Sequence, residues 1–309
     1  MRILVVGAGA IGGYFGGRLL EAGRDVTFLV RKRRREQLAR TGLSIRSRLG
    51  DVDLPAPTVM AEDLRDPFDL ILLSCKAYDL DDAMASFAPA VGPSTAILPL
   101  LNGVRHIDRL AERFGAQAVL GGQCVISTTL DPDGRILHLN DAHTLTFGER
   151  DGSLTPRVEA IAAEFSVAGF ESRASSAIMQ EMWEKWVFIA SFAGITCLMR
   201  APIGDIVAAG AGDISISLLD ECAQIAHRQG FPPSDAMQQR IRAVFTTTGS
   251  LLTASMLRDV ERGAQTEVEH ILGDLLRRGG GSAAYPLLRI AHAHLATYEA
   301  QRRRRESDT

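Results

Sequence analysis

The sequence predicts an α/β protein in two parts: a doubly wound parallel sheet with antiparallel edge strands, then an all-α domain. Three observations support this fold class. The first half alternates short β-rich runs with helical stretches, and one turn sequence within it predicts a hairpin. Beyond Arg173 the strand signals stop, and helical periodicity continues nearly to the end. We therefore expect one domain at residues 1–175 and a second at residues 176–309.

The composition is that of an ordinary globular protein. The chain has 309 residues, of which 46% are hydrophobic and 23% charged, and its net charge is −3. This balance predicts no bulk attraction to nucleic acid or to anionic membranes. We find neither a secretory signal nor an apolar run of about 18 residues that could span a membrane. The expected location is the cytoplasm.

Cysteine spacing predicts neither a metal site nor a disulfide framework. The four cysteines lie far apart, without paired spacing, and are expected to be buried free thiols: Cys75, Cys124, Cys197 and Cys222. The short basic run Arg302 to Arg305 near the end of the chain is interpreted as a solvated helix end.

Individual elements follow from local patterns. The predicted parallel strands are Ile3 to Val6, Val26 to Val30, Leu70 to Ser74, Thr95 to Pro99 and Val119 to Gly121. The hairpin is predicted at Ser127 to Leu130 and Ile136 to Leu139 around Asp131-Pro132-Asp133-Gly134, with a further strand at Thr144 to Phe147. The predicted helices of the second half are Ala177 to Met199, Gly212 to Gln229, Asp235 to Phe245, Glu267 to Arg278 and Leu287 to Arg302.

The most informative motif is the glycine-rich turn after the first strand. Gly7, Gly9 and Gly12 lie between the apolar run and a helix-like segment that begins at Ile11. In a Rossmann-type unit, such glycines allow a tight turn, approach of the backbone to a pyrophosphate, and close packing of helix on strand. We therefore predict a dinucleotide-binding turn; a glycine turn without a ligand is the alternative. The predicted contacts are Gly7, Ala8, Gly9, Ala10, Ile11 and Gly12.

A basic residue follows the second predicted strand, about 20 residues beyond the glycines. An NAD site would place an acidic residue here, to accept from the ribose 2′-hydroxyl group. Arg31 instead favours the 2′-phosphate of NADP. Lys32 is a possible helper, and the rest of the run to Arg35 is interpreted as a solvated loop.

Several polar residues could serve a site, but each also has an ordinary structural interpretation. Asn102-Gly103 and Lys76 follow predicted strands at the edge of the sheet where α/β proteins bind ligands, although both also suit a plain loop. From helical periodicity alone, Lys185 is predicted to form an ion pair with Glu181, which lies one helical turn earlier. Ser255 could be an N-cap, and Glu267 could be an acidic residue in the first turn of a helix.

Taken together, these segments resemble the ketopantoate reductase family over nearly the whole chain. The resemblance rests on the order and spacing of several motifs. These are Gly7 to Gly12, Arg31, Ser74-Cys75-Lys76-Ala77, Leu101-Asn102-Gly103, the Glu-x-Trp-x-Lys segment that ends at Lys185, Ser255-Met256-Leu257-x-Asp259 and Thr266-Glu267.

The resemblance implies NADPH-dependent reduction of a small-molecule 2-oxo acid, 2-dehydropantoate, to (R)-pantoate in the pathway to coenzyme A. Lys185 would be the general acid, and Ser255 would bind the substrate. Asn102 would contact both cofactor and substrate. Glu267 would contact the cofactor and help to orient the lysine, and Ser127 falls where the family makes a backbone contact with NADP.

Three positions depart from the family pattern. Asparagines of the family's substrate site correspond here to Ile189, Ala193 and Ile203. Because Ile189 and Ala193 lie one and two helical turns after Lys185, we expect them to face the substrate and to make the site less polar. Arg200, placed on roughly the same side of that helix, is a candidate to bind the substrate carboxylate instead.

These departures leave two alternatives open. One is an NADPH-dependent reductase of another, more apolar 2-oxo acid. The other is a non-catalytic NADPH-binding protein, which the presence of Lys185, Asn102, Ser255 and Glu267 together argues against. A homodimer is possible, since the helical half has enough apolar faces, and no metal is expected.

Overall fold

In the computed structural model, residues 1–281 and 284–307 are described. Contacts between Cα atoms divide the chain into two compact units. The first comprises Met1–Leu101 and His106–Met179, and the second comprises Asn102–Arg105 and Gln180–Thr309. The main division follows Met179, close to the boundary expected after residue 175.

Among the described residues, strands occur only in the first unit, while helices occur in both. The strands are β1 (Arg2–Val6), β2 (Asp25–Leu29), β3 (Leu43–Arg46), β4 (Val52–Leu54), β5 (Thr58–Val59), β6 (Leu70–Leu73), β7 (Ala96–Pro99), β8 (Gly121–Leu130), β9 (Ile136–Gly148) and β10 (Glu171–Ala174). The first six α-helices are α1 (Ala10–Glu21), α2 (Lys32–Thr41), α3 (Leu80–Phe87), α4 (Arg105–Phe114), α5 (Pro156–Phe165) and α6 (Ile178–Met199). They are followed by α7 (Ile203–Ala208), α8 (Gly212–Arg228), α9 (Asp235–Phe245), α10 (Ser255–Glu261), the π-helix Glu269–Gly273, α11 (Asp274–Arg278) and α12 (Pro286–Ser307).

The first sheet is parallel and has the strand order β5-β2-β1-β6-β7. Strands β6 and β7 are buried along their whole length, as expected for a parallel sheet covered on both faces. The chain adds β2 and β5 on one side of β1, and then adds β6 and β7 on the other side. This reversal lies at the carboxyl ends of β1 and β6, where open α/β sheets bind ligands. The predicted α/β fold class is confirmed.

The antiparallel hairpin belongs to a second sheet and not to the edge of the first. Strand β9 pairs antiparallel with β8 and parallel with β3 and β10, and β4 completes this sheet beside β3. The segments predicted as separate strands at Ile136 to Leu139 and Thr144 to Phe147 are thus one strand. The strand predicted at Val119 to Gly121 is reduced to a single parallel bridge between Val119 and Ile97, because the chain then enters β8.

Helix α1 packs closely against both sheets through its glycines. A Cβ atom on Gly16 would lie 2.7 Å from the ring of Phe28 and 2.9 Å from Val5 Cγ2, both in the first sheet. On Gly17 it would lie 2.7 Å from Leu43 Cδ2 and 2.8 Å from Ile45 Cδ1, both in the second. Because real Cβ atoms do not approach other atoms so closely, glycine is required for this packing.

The second unit is helical, as predicted, with differences in detail. Helix α9 has its predicted bounds, and α6 and α8 end at or within one residue of theirs. The helix predicted from Glu267 begins after that residue and contains the π-helix. Helix α12 runs through the basic segment, where the partly buried Arg302 donates to Glu299 at 3.1 Å. Arg302 therefore departs from the solvated helix end that the sequence suggested, whereas Arg303, Arg304 and Arg305 are exposed near the end of α12, as expected.

Among the cysteines, Cys124, Cys197 and Cys222 are buried and outside any disulfide, as predicted, and Cys75 is partly exposed. Burial raises the pKa of the Cys222 thiol, which keeps it protonated.

We predict that Gly16→Ala destabilises the first unit. The added methyl group would overpack the helix against Val5 and Phe28, at a cost of about 1–3 kcal/mol, although alanine is intrinsically the better helix former. Gly212→Ala is the matched control, because a Cβ there would meet no atom closer than Val207 Cγ2 at 3.9 Å. Urea unfolding monitored by circular dichroism measures both. Equal stability of the Gly16→Ala variant and the wild type would contradict the packing argument.

Candidate functional site

In the turn between β1 and α1, backbone conformation and packing account for two of the three glycines. Gly7 has φ +93°, which favours glycine. A Cβ on Gly12 would lie 2.1 Å from Ser74 Oγ and 2.3 Å from the Gly7 carbonyl oxygen. A Cβ on Gly9, in contrast, would meet nothing within 4 Å, and its φ of −82° is open to any residue. The protein's own packing therefore does not require glycine at position 9. The open space beside Gly9 suits the approach of a ligand.

The N-terminus of α1 is suited to an anion. Gly9 is its N-cap, and within the described residues no side chain caps this end of the helix. The first backbone N–H groups of a helix lack intrahelical acceptors and carry partial positive charge. A pyrophosphate could accept hydrogen bonds from them. The chemistry of this turn thus fits a dinucleotide.

Ser74 holds the turn in place from the neighbouring strand. Ser74 comes directly after β6. Its hydroxyl donates a hydrogen bond shared between the carbonyl oxygens of Val6, at 3.1 Å, and Gly7, at 3.3 Å. Lys76 is exposed at the start of a short 3₁₀ turn, Ala77–Asp79. The end of β6 therefore lies beside the glycine turn, as its place in the sheet order requires.

Arg31 follows β2 and is the N-cap residue of α2. Its side chain is 74% exposed, and Nη2 donates to Asp79 Oδ1 at 2.9 Å. This hydrogen bond and the charge of Asp79 raise the pKa of Arg31. An anion bound by Arg31 would therefore compete with Asp79. Lys32 is exposed in the first turn of α2.

Arg34 is a residue that the sequence interpretation missed. The run from Lys32 forms the start of α2 and not a loop, and this places Arg34 against the glycine turn. Its Nε donates to the Ala8 carbonyl at 3.0 Å, and Nη1 donates to the Gly134 carbonyl at 3.0 Å. Nη2 is buried without a hydrogen-bond partner in the described structure. Burial lowers the pKa of this guanidinium group. The helical spacing from Arg31 was the one available signal.

Ser127 lies at an irregularity in the β8–β9 hairpin, where the pairing register shifts between Ile126 and Thr128. Its backbone N–H donates to Asn140 Oδ1 at 3.0 Å. This donor is therefore already used, and a cofactor contact through it would require Asn140 to give way.

In the second unit, Asn102 and Gly103 pack against His270 of the π-helix. Gly103 has φ +76°, and a Cβ there would lie 3.3 Å from His270 Cδ2 and 3.4 Å from Nε2. The Asn102 backbone is hydrogen-bonded to the His270 ring. His270 is only 7% exposed, and its burial lowers the pKa of the imidazole. No motif in the sequence pointed to this histidine.

Lys185 lies in α6, one residue before Trp186, which is hydrogen-bonded to the π-helix. The indole Nε1 of Trp186, which is fully buried, donates to the Ile271 carbonyl at 3.0 Å. The guanidinium carbon of Arg278 lies 5.8 Å from the centre of the Trp186 ring. Lys185 is partly exposed. The packed neighbour fixes this stretch of α6 and leaves Lys185 partly accessible to solvent.

Glu267 immediately precedes the helical segment that contains the π-helix. Its carbonyl oxygen accepts from the N–H groups of His270 at 3.0 Å and Ile271 at 2.9 Å. The buried carboxylate of Glu299 accepts from the Thr266 N–H at 2.6 Å and from its hydroxyl at 2.8 Å. The backbone on both sides of Glu267 is thus fixed within the second unit.

The predicted substrate residues differ in exposure. Ser255 is exposed at the first residue of α10, whose N-cap is Ala254, so the N-cap interpretation of Ser255 is wrong. Ile189 is partly exposed, whereas Ala193 is 2% exposed and Ile203 is fully buried. Ile189 is therefore the most accessible of the three residues at family asparagine positions.

The structure corrects the placement of Arg200. Helix α6 ends at Met199, and Arg200 adopts φ +55°, a left-handed conformation common just after helices. Helical spacing from Lys185 therefore does not apply to it.

The predicted residues thus form two sets, one in each unit. The first unit holds the glycine turn, Ser74 and Arg31, and the structure adds Arg34, which the sequence did not predict. The second links Asn102, the lysine-bearing helix and Glu267 to the π-helix. In residues 1–281 and 284–307, no group of three or more His, Cys, Asp or Glu side chains is placed to hold a metal ion. No helix in the described part of the chain is long and apolar enough to cross a membrane.

Comparison with known proteins identifies the family. The model described as "Ketopantoate reductase PanE/ApbA" matches residues 3–152, and that of its C-terminal part matches residues 177–299. An uncharacterized oxidoreductase of Bacillus subtilis (strain 168), YkpB, is 39% identical over 304 residues, covering 98% of this chain and 100% of that protein. The 2-dehydropantoate 2-reductase of Archaeoglobus fulgidus is 30% identical over 280 residues, covering 90% of each.

A solved structure gives the same result. The crystal structure of 2-dehydropantoate 2-reductase from Geobacter metallireducens GS-15 matches with a TM-score of 0.87 and 30% identity, covering 96% of this chain and 99% of that one. The chain therefore belongs to the ketopantoate reductase family, and it is an oxidoreductase of that NAD(P)-dependent family.

Proposed function

We propose that this protein uses NADPH to reduce 2-dehydropantoate to (R)-pantoate, with Lys185 as the proton donor. The observation that carries the proposal is the π-helix of the second unit. It accepts from Trp186 beside Lys185, bonds the backbone of Asn102 through His270, and follows Glu267 directly. Three residues with proposed roles in one reaction are thus tied to a single short element. Membership in a family of oxidoreductases sets aside the non-catalytic alternative.

The first unit supplies the groups to hold the dinucleotide. The turn from Gly7 to Gly12 and the N-terminus of α1 suit the pyrophosphate. Arg31 and the buried, unpaired Nη2 of Arg34 favour a further phosphate at the ribose end, which is the reason to prefer NADPH over NADH. When bound, NADPH supplies a hydride to the C2 carbon of the oxo acid.

Lys185 would supply the proton that completes the reaction. As the C2–O double bond becomes a single bond, its oxygen gains negative charge, which an ammonium group can stabilise before donating a proton. Asn102 would hold the reacting groups by hydrogen bonds, Glu267 would orient the lysine, and Ser255 would bind the substrate. The products are the hydroxy acid, the oxidised cofactor and a neutral lysine, which regains its proton from solvent.

A second candidate substrate is a more apolar 2-oxo acid. It is favoured by Ile189, which is partly exposed one helical turn after Lys185, where the family's asparagine would offer a polar side chain. An apolar side chain cannot bond a substrate hydroxyl, and a polar group left unpaired on burial costs about 1–3 kcal/mol. The same catalytic residues serve both substrates.

The proposal is tested by the loss of NADPH absorbance with 2-dehydropantoate and, in parallel, with branched and aromatic 2-oxo acids. We expect the wild type to reduce 2-dehydropantoate. Lys185→Ala should lower kcat by about 10²–10⁴-fold and leave the NADPH dissociation constant nearly unchanged. Lys185→Arg is the matched variant, since it keeps the charge but not a readily donated proton. Turnover of an apolar acid alone would select the second candidate. Turnover of none, or full activity of Lys185→Ala, would refute the proposal.

We also predict that Arg31 selects NADPH over NADH. Arg31→Ala should raise KM for NADPH about tenfold or more, the loss expected for one charge-assisted hydrogen bond, with little change for NADH. Arg33→Ala is the matched control, because Arg33 is an exposed arginine in the same run. Steady-state kinetics with NADPH and with NADH gives the ratio of the two KM values for each variant. Equal effects on the two nucleotides would mean that Arg31 does not read the 2′-phosphate.

A further inference from the structure

His270 occupies an unusual backbone position within the second unit. It lies in the π-helix Glu269–Gly273, and π-helical turns are rare and often found at functional sites. The widened turn is held from outside by Trp186, whose indole donates to the carbonyl of the next residue, Ile271. His270 is therefore carried on a segment of backbone that is fixed to α6 beside Lys185.

The ring of His270 packs against Gly103. Imidazole atoms Cδ2 and Nε2 would lie 3.3 and 3.4 Å from a Cβ placed on that glycine, and the His270 carbonyl oxygen would lie at 3.4 Å. The left-handed φ of Gly103 and this close approach both disfavour a side chain there. The ring and the segment are thus in direct contact, with His270 only 7% exposed.

A hydrogen bond joins the same ring to the backbone of Asn102. It favours the charged ring, so the imidazole donates and the Asn102 carbonyl accepts. A neutral imidazole has one N–H, and this contact uses it. Because the bond is made to the backbone, it leaves the amide side chain of Asn102 available for a ligand.

We propose that His270 is a positioning residue, which fixes the Asn102–Gly103 segment so that the Asn102 side chain can bind the 2-oxo acid substrate. The proposal rests on the proposed function for its substrate, but its structural part concerns this chain alone. In this role His270 acts through Asn102 and touches neither substrate nor cofactor.

The charges around His270 make this role sensitive to pH. Burial is the largest influence and lowers the pKa, Arg105 lowers it further, and Glu267 and Asp274 oppose the shift. The neutral ring therefore predominates near pH 7. As pH falls through the lowered pKa, the ring becomes positively charged in a buried site beside Arg105 at the start of α4. The bond to the Asn102 carbonyl survives this change, but the cost of the buried charge favours opening of the packing between the ring and Gly103. Activity should therefore decline on the acid side, and a variant without a titrating ring should lack that part of the decline.

The test compares His270→Leu, which removes the donor, with His270→Gln, whose amide N–H can replace the ring N–H. Hydrogen–deuterium exchange in the ligand-free protein measures the segment directly. We expect faster exchange at residues 102–105 in His270→Leu than in the wild type, and restoration in His270→Gln. Unchanged exchange in His270→Leu would overturn the proposal, whatever the enzyme's substrate.

Kinetics of the same variants test the link to substrate. We expect His270→Leu to lower kcat/KM for the 2-oxo acid about tenfold, largely through KM, and His270→Gln to recover most of it. In an Asn102→Ala background, His270→Leu should add little further loss, because the histidine acts through that residue. If the losses in kcat/KM from His270→Leu and Asn102→Ala were fully additive, the two residues would act independently and the proposal would be wrong. Failure of the proposed function is distinguishable, because the wild type would then reduce none of the acids while the exchange result stands.

Discussion

The close approach of α1 to its neighbours is the constraint on which the first unit depends. Gly12 lies against Ser74 and Gly7, Gly16 lies against the first sheet, and Gly17 lies against the second. Each glycine weakens the isolated helix by roughly 1 kcal/mol relative to alanine, and the packing of two sheets on one helix offsets that cost. The same contacts place the positive end of α1 at the carboxyl ends of β1 and β6. The glycine turn is therefore a consequence of the packing and not a loop added to it.

The second unit is organised around the π-helix. Trp186, Asn102 and Glu267 come from three distant parts of the sequence, and each is bonded to this short element. An ordinary α-helix bonds its own backbone groups regularly, whereas a π-turn displaces the carbonyls and side chains around it. A tryptophan, a histidine ring and a backbone turn meet at this element. Precise positioning of this kind is what proton transfer from a fixed lysine requires.

The sequence predicted those features whose physical cause is local. The glycine turn, the parallel strands and the long helices follow from turn chemistry and periodicity within short windows. Strands β3, β4, β5 and β10 were missed because each is short and mixes polar with apolar residues, whereas the equally short β6 and β7 are continuous apolar runs. Arg34 was missed because its acceptors, Ala8 and Gly134, lie 26 and 100 residues away. The placement of Arg200 failed because the helix ended one residue earlier, and His270 carried no pattern at all.

We expect this chain to transfer a hydride to the C2 carbon of a 2-oxo acid while Lys185 protonates the oxygen. The most direct measurement uses NADPH deuterated at both C4 positions, with the product analysed by mass spectrometry and NMR. We predict one deuterium bound to C2 of the hydroxy acid, because a transferred hydride stays on carbon and does not exchange with solvent. A hydroxy acid without deuterium at C2, or no product from any 2-oxo acid, would contradict it.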